Sequence, residues 1–189
     1  LGATVGLIDK MLAGGLSEDV VLPAMDGLGV GSYVGWFVGI AMGGLGIGGQ
    51  AIISRAIGRG DVQEAEHALG QAMGLSVLWG TLVAVLFWIF APSLASLCGL
   101  SGEAADYLVE YVHVLAYSMP FCGMMMVGAM CLTGAGETMR PAMIAVVVNL
   151  VNVASSWVLS GADLRLPGVV LTDQFGFDLD VAGIAAGTA

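Results

Sequence analysis

Basic side chains are scarce in this sequence. Its 189 residues hold five Lys and Arg against fifteen Asp and Glu, a net charge of −10. Charge of either sign is thin, at 11% of residues where a soluble domain carries roughly a quarter. Residues 27–54, 68–102, 111–136 and 141–162 contain no Asp, Glu, Lys or Arg. Each of these windows is long enough for a transmembrane helix, which needs about 20 apolar residues. Cys98, Cys122 and Cys131 show no CxxC spacing and read as small apolar packing residues. HExxH, P-loop, GxSxG and His/Cys ligand spacings are all missing. An enzyme, a cofactor and a nucleic-acid partner are therefore not expected, and this segment cannot itself hydrolyse ATP.

What remains is an oily chain, 58% hydrophobic with 30 glycines. Glycine enrichment of this kind is common in packed membrane helices. The expectation is an all-α polytopic membrane protein. Its segments read as the end of helix 1 at 1–16, helix 2 at 27–57 and helix 3 at 69–97. Helix 4 follows at 107–132, helix 5 at 141–160 and the start of helix 6 at 181–189. Residues 17–26 read as an acidic loop and 161–180 as a longer one. The chain opens on Leu1 without Met and stops at Ala189 inside a small-residue run. Both ends read as cut helices, and a longer parent protein is expected.

The breaks sort by charge. Arg55 and Arg59 lie in one, and Arg140 in the next but one. The alternate breaks hold Arg165 alone, with ten acids that include Glu18, Asp19, Asp26, Glu103, Asp106 and Glu110. Lys/Arg excess marks the cytoplasmic side, so loops 55–67 and 133–140 are expected inside and the acidic loops outside.

Local signals add detail. Asp61 with Glu64 three residues on reads as a capping box opening helix 3. Pro92 is expected to bend or end helix 3, and Pro120 to kink helix 4. Gly27, Gly31, Gly35, Gly39 and Gly43 recur at four-residue intervals and read as a packing face. The Met124–Met126 run reads as flexible packing, and His113 as an interfacial or hydrogen-bonded residue.

Asp9 is the sharpest candidate for chemistry. A carboxylate within an apolar helix costs a few kcal/mol, so it usually faces a polar cavity and serves a function. The alternative is that Asp9-Lys10 lies near a helix end and snorkels to the interface. Asn152 and Ser156 sit four apart and share a helix face. They could line the same cavity or simply hydrogen-bond between helices.

Several ordered segments together resemble the multidrug and toxic compound extrusion (MATE) family. They are Gly6-Leu-Ile-Asp-Lys-Met-Leu-Ala-Gly14, Gln50 to Gln71, Thr133-Gly-Ala-Gly-Glu-Thr-Met-Arg-Pro-Ala-Met143, Asn149 to Trp157, and Val181-Ala-Gly-Ile-Ala-Ala-Gly-Thr188. The resemblance implies most of the N-terminal six-helix lobe of a twelve-helix antiporter in the cell inner (plasma) membrane. It implies exchange of H+ or Na+ for amphipathic, often cationic, compounds by alternating access, with the C-terminal lobe of the same chain and the lipid bilayer as partners. By this resemblance Asp9 is the coupling carboxylate, Asn152 and Thr188 are its polar neighbours, and no metal is expected beyond a possible Na+ at Asp9. Ser156 falls where some members carry a second Asp and others an Asn, which puts a two-carboxylate site in doubt. The rivals are a lipid-linked sugar flippase of the same wider superfamily and a non-transporting membrane scaffold.

Overall fold

The computed structural model describes residues 9–14, 18–160, 164–166, 169–171 and 179–188. Helix α1 is seen over residues 9–13, followed by α2 (Glu18–Gly58), α3 (Val62–Leu97), α4 (Glu103–Gly134), α5 (Met139–Ser160) and α6 (Asp180–Thr188). Of the helix expected over 1–16, residues 1–8, 15 and 16 lie outside the described residues. Four described helices, α2 from Val21 onward, α3, α4 and α5, are long and apolar enough to cross a membrane.

The helices outrun the apolar windows. Helix α2 begins at Glu18, not at 27, so the expected acidic loop is mostly helix and Pro23 lies inside it. Acidic residues favour the first turn of a helix as much as a loop, so charge did not separate the two. Helix α3 starts at Val62 rather than 69, and α4 at Glu103 rather than 107. At 1.5 Å per residue α2 is about 60 Å long, about twice the hydrocarbon thickness. Its polar turns stay helical because backbone hydrogen bonding does not depend on side-chain hydropathy.

The polar break at 55–67 shrinks to Arg59–Asp61. Gly60 takes φ +77°, which turns the chain, and Asp61 Oδ1 accepts from Glu64 N at 2.9 Å as the capping reading expected. Arg59 pairs with Glu64 across the turn. Asp61→Ala is expected to lower stability by about 1 kcal/mol, readable as a small downward shift in thermal melting. The break before α5 is capped likewise, with Arg140 N donating to Glu137 Oε1 at 3.2 Å.

The loop expected over 161–180 contains a short antiparallel hairpin, β1 (Leu164–Leu166) with β2 (Val169–Leu171), in which Leu164 pairs with Leu171. The pattern is too short to register as strands against a hydropathy reading tuned to helices.

Helix α4 is the centre of the packing. It lies against both α2 and α3, which also touch each other, while α6 packs on α5 and reaches α4. One buried cluster joins Leu12, Leu28, Met42, Tyr111, Met119 and Ile184, so α1, α2, α4 and α6 share a core. Close approach between α3 and α4 is set at Gly80, where an added Cβ would stand 2.8 Å from Pro120 Cα. Helix α4 runs unbroken through Pro120, and α3 through Pro92 to Leu97, so Pro92 does not end it.

The glycine face on α2 is only partly used. A Cβ at Gly27 would meet Ala104 O at 3.0 Å, and one at Gly31 the Tyr111 ring at 2.7 Å, but Gly35 and Gly39 have open space beside them. Four residues turn a helix ~40° past a full circle. A strict four-residue repeat therefore drifts off the buried face within a few steps. In that register Gly43 has only ordinary contact with Met126 at 3.7 Å, and the tight approaches resume out of it at Gly46 and Gly49, against Met130 and Cys131.

Pro92 has a second effect. Lacking an N–H, it leaves the Trp88 carbonyl four residues earlier without its helical donor. His113 of α4 supplies one: its Nε2 lies 3.2 Å from Trp88 O, and its ring stacks on the indole with centroids 4.1 Å apart. An interfacial or hydrogen-bonded role was expected of His113; the partner was not legible. His113→Leu is expected to cost about 1–3 kcal/mol by orphaning that carbonyl. Pro92→Ala should recover much of the loss, as a two-by-two set of melting temperatures would show.

Candidate ion-coupling site

Asp9 opens the described part of α1 and is buried, with 4% of its surface exposed. Its neighbour Lys10 is exposed, while Leu12 and Ala13 are buried. One face of α1 is thus set against the core, and Asp9 lies on it. The snorkelling alternative fails for Asp9.

Thr188, the last residue of α6, places Oγ1 at 3.1 Å from both Oδ1 and Oδ2 of Asp9. A hydroxyl carries one proton, so it donates to one carboxylate oxygen at a time and sits symmetrically between the two. Residues far apart in sequence thus close into one polar contact.

Helix α6 is in turn held by α5. Gly183 and Gly187 are four apart on α6, and a Cβ on either would overlap α5 backbone, at Leu159 O and at Ser156 N. This is the small-residue spacing that lets two helix backbones touch. Ser156 is fully buried and its Oγ donates to the Ile184 carbonyl at 3.3 Å. Its hydroxyl proton is therefore engaged with the α6 backbone.

Asn152, one turn before Ser156, is 8% exposed, and its Oδ1 has no hydrogen-bond partner. Asn149 donates from Nδ2 to Ala145 O at 2.7 Å, and its own Oδ1 is also unpartnered. An unmet buried acceptor costs about 1–3 kcal/mol. Two such oxygens three residues apart on one helix mark a face built for something polar.

Sequence reasoning missed Tyr111. It comes from α4, is 4% exposed, presses its ring on Gly31 and shares a buried cluster with Leu12 of α1. A tyrosine inside an apolar span carries no pattern of its own, and only the fold sets it beside α1. Gly183 and Gly187 were visible as a spaced pair in the sequence.

Comparison with known proteins adds the family. The MatE family model matches residues 1–158. The multidrug export protein MepA of Staphylococcus haemolyticus is 28% identical over 76% of this chain and 29% of its own length. A probable multidrug resistance protein, NorM of Thermotoga maritima, is 26% identical over 87% of this chain and 33% of its own length. Among solved structures, an inward-facing multidrug resistance MATE transporter aligns with 100% of this chain and 39% of that one, at TM-score 0.81 and 24% identity. A MATE structure in a bent conformation aligns with 97% of this chain and 37% of its own, at TM-score 0.83 and 23% identity. The chain spans about a third of the length of the curated relatives it matches. A model match over most of the sequence and a shared helical arrangement lead to one assignment: this multi-pass membrane chain belongs to the MATE family and covers its N-terminal lobe.

Proposed function

We propose that this lobe belongs to a secondary active multidrug exporter, in which entry of H+ or Na+ drives amphipathic, often cationic, compounds outward. The observation that carries the reading is the Asp9–Thr188 contact, a buried carboxylate of α1 met by a hydroxyl of α6. A proton or Na+ arriving at Asp9 neutralises the charge that Thr188 now stabilises. The unpartnered oxygens of Asn149 and Asn152 on α5 supply further acceptor capacity on the lobe that α6 ties to Asp9.

In this mechanism the ion binds from outside and weakens the Thr188–Asp9 hydrogen bond. The end of α1 is thereby freed to bend, and a ligand can shift the balance between the two cavity openings only through such differential contacts. Ser156 acts as a positioning residue through its bond to the α6 backbone, and it offers no second titratable carboxylate. Loops 55–67 and 133–140 lie in the cytoplasm in this reading, and the protein sits in the inner membrane. The name of the MepA relative, a multidrug export protein, supports export as the direction of transport. The test is ion-driven efflux by the full-length protein with Asp9→Asn, measured in sealed vesicles.

A further inference from the structure

The helices of this lobe are joined in two different ways. Within α2, α3 and α4 the backbones touch. A Cβ at Gly27 would meet Ala104 O at 3.0 Å, one at Gly80 would meet Pro120 Cα at 2.8 Å, and one at Gly134 would meet Gln50 O at 2.7 Å. Helices α5 and α6 interlock just as closely. Besides the contacts at Gly183 and Gly187, the Leu179 N–H donates to Leu159 O at 3.2 Å, and Ser156 bonds the Ile184 carbonyl. Between the two groups the contact is of another kind. Helix α5 meets α4 only slightly, and Val181, Ile184 and Ala185 of α6 share an apolar side-chain cluster with Tyr111, Leu115 and Met119 of α4. Packed apolar side chains let helices slide by small steps, whereas interlocked backbones move together.

Helix α5 is built as a lever. Of the four described helices long enough to span a membrane, it alone contains no glycine. Its one proline, Pro141, stands in the first turn, where proline does not break a helix. Its 22 residues extend about 33 Å. The turn before it is anchored on the α4 side. Gly134 rests on Gln50 of α2, Gly136 takes φ +90°, and the Glu137 N–H donates to Leu132 O of α4 at 3.0 Å. The Glu137 carboxylate meanwhile accepts from Arg140 N of α5. Glu137 thus belongs to α4 by its backbone and to α5 by its side chain. A tilt of about 5° at this turn moves the far end of α5 by about 3 Å, enough to break a hydrogen bond.

We infer that α5 and α6 form one rigid hairpin that pivots at the Gly136–Glu137 turn against the α2–α3–α4 unit, and so makes or breaks the Thr188–Asp9 contact. Leu12, close to Asp9 on α1, is wholly buried in the cluster with Leu28, Met42 and Tyr111, which seats the Asp9 side of that contact on the fixed unit. Bending of α1 in the antiport reading moves one partner of the contact; the pivot moves the other. The inference goes beyond that reading, because the two-body packing stands whether or not an ion drives it.

The test is double electron–electron resonance on the full-length protein in nanodiscs, with spin labels carried on p-acetylphenylalanine so that the native cysteines stay in place. Ala154 on α5 is paired with Phe121 on α4. Leu150 on α5 with Ala186 on α6, and Ile40 on α2 with Phe121, serve as references within each body. All of these positions are exposed, so the labelled proteins are expected to melt as the parent does. Between alkaline Na+-free buffer and acid or added Na+, the Ala154–Phe121 distance should shift by about 2 Å or more, or stand as two populations throughout, while both references stay single and fixed. A Met143–Phe121 pair should shift less than half as much, since Met143 lies about one turn from the start of α5. The inference is overturned if the Ala154–Phe121 distribution is as narrow and as fixed as the references. It is equally overturned if either reference moves, or if Met143 and Ala154 shift alike, which would be a translation. Efflux does not enter these distances, so failure of ion-driven export would count against antiport alone and leave a measured pivot standing.

Discussion

Asp9→Asn is expected to abolish ion-driven efflux while leaving the amount of folded protein unchanged. The amide matches the carboxylate in shape and can still accept from Thr188, so the 3.1 Å contact between α1 and α6 survives. What it loses is the ability to carry charge and to take up a proton or Na+. Transport coupled to that event should fall by about a hundredfold or more, since no second carboxylate stands at Ser156 to replace it. A graded companion is Thr188→Ala, which removes one hydrogen bond to a charged group, worth about 1.5–3 kcal/mol, and should weaken coupled efflux. Thr188→Ser should restore most of it. Dye efflux from vesicles under an imposed H+ or Na+ gradient decides the matter. Efflux by Asp9→Asn at the parental rate would sink the assignment of Asp9 as coupling residue.

The second large effect concerns Gly187. In an open helix position, exchanging Gly for Ala stabilises by about 1 kcal/mol through helix propensity. At Gly187 the new Cβ would overlap Ser156 N and Oγ, so α6 must move outward. Gly187→Ala is therefore expected to destabilise by about 1–3 kcal/mol net, the usual range for overpacking. The shift would also draw the neighbouring Thr188 off Asp9, so efflux should fall along with the melting temperature. Gly35→Ala is the matched control. Nothing lies within 4 Å of a Cβ there, and the change should be neutral or slightly stabilising. If both substitutions behave alike, the α5–α6 contact is looser than described.

The glycines show why some of this was legible and some was not. Counting intervals along α2 finds five glycines at a spacing of four, yet only those whose drift still faces α4 are used. The GIAAG pair on α6 has the same spacing and is used at both positions, because two steps do not drift far. Spacing states which residues share a face. It does not state whether another helix arrives at that face. The acidic stretch at 17–26 fails for a related reason: hydropathy measures where a helix enters lipid, whereas backbone hydrogen bonds decide where it begins. His113 illustrates the same limit, since its partner is a carbonyl freed by a proline on a different helix.

Composition alone determined that the chain crosses a membrane several times, because uncharged windows of that length have no other stable setting. The order of apolar segments, the Asp61 cap and the isolated carboxylate at Asp9 were equally readable, each being a local property of a few residues. Tertiary structure decided the rest. It set Thr188 against Asp9, engaged Ser156 with the α6 backbone, placed Tyr111 beside Gly31, and left Asn149 and Asn152 with unmet oxygens. These pairings join residues on different helices, and their geometry follows from where Gly183, Gly187 and Gly80 permit backbones to touch. Side-chain chemistry is written along the chain, but the distances that make it a site arise only when the helices pack.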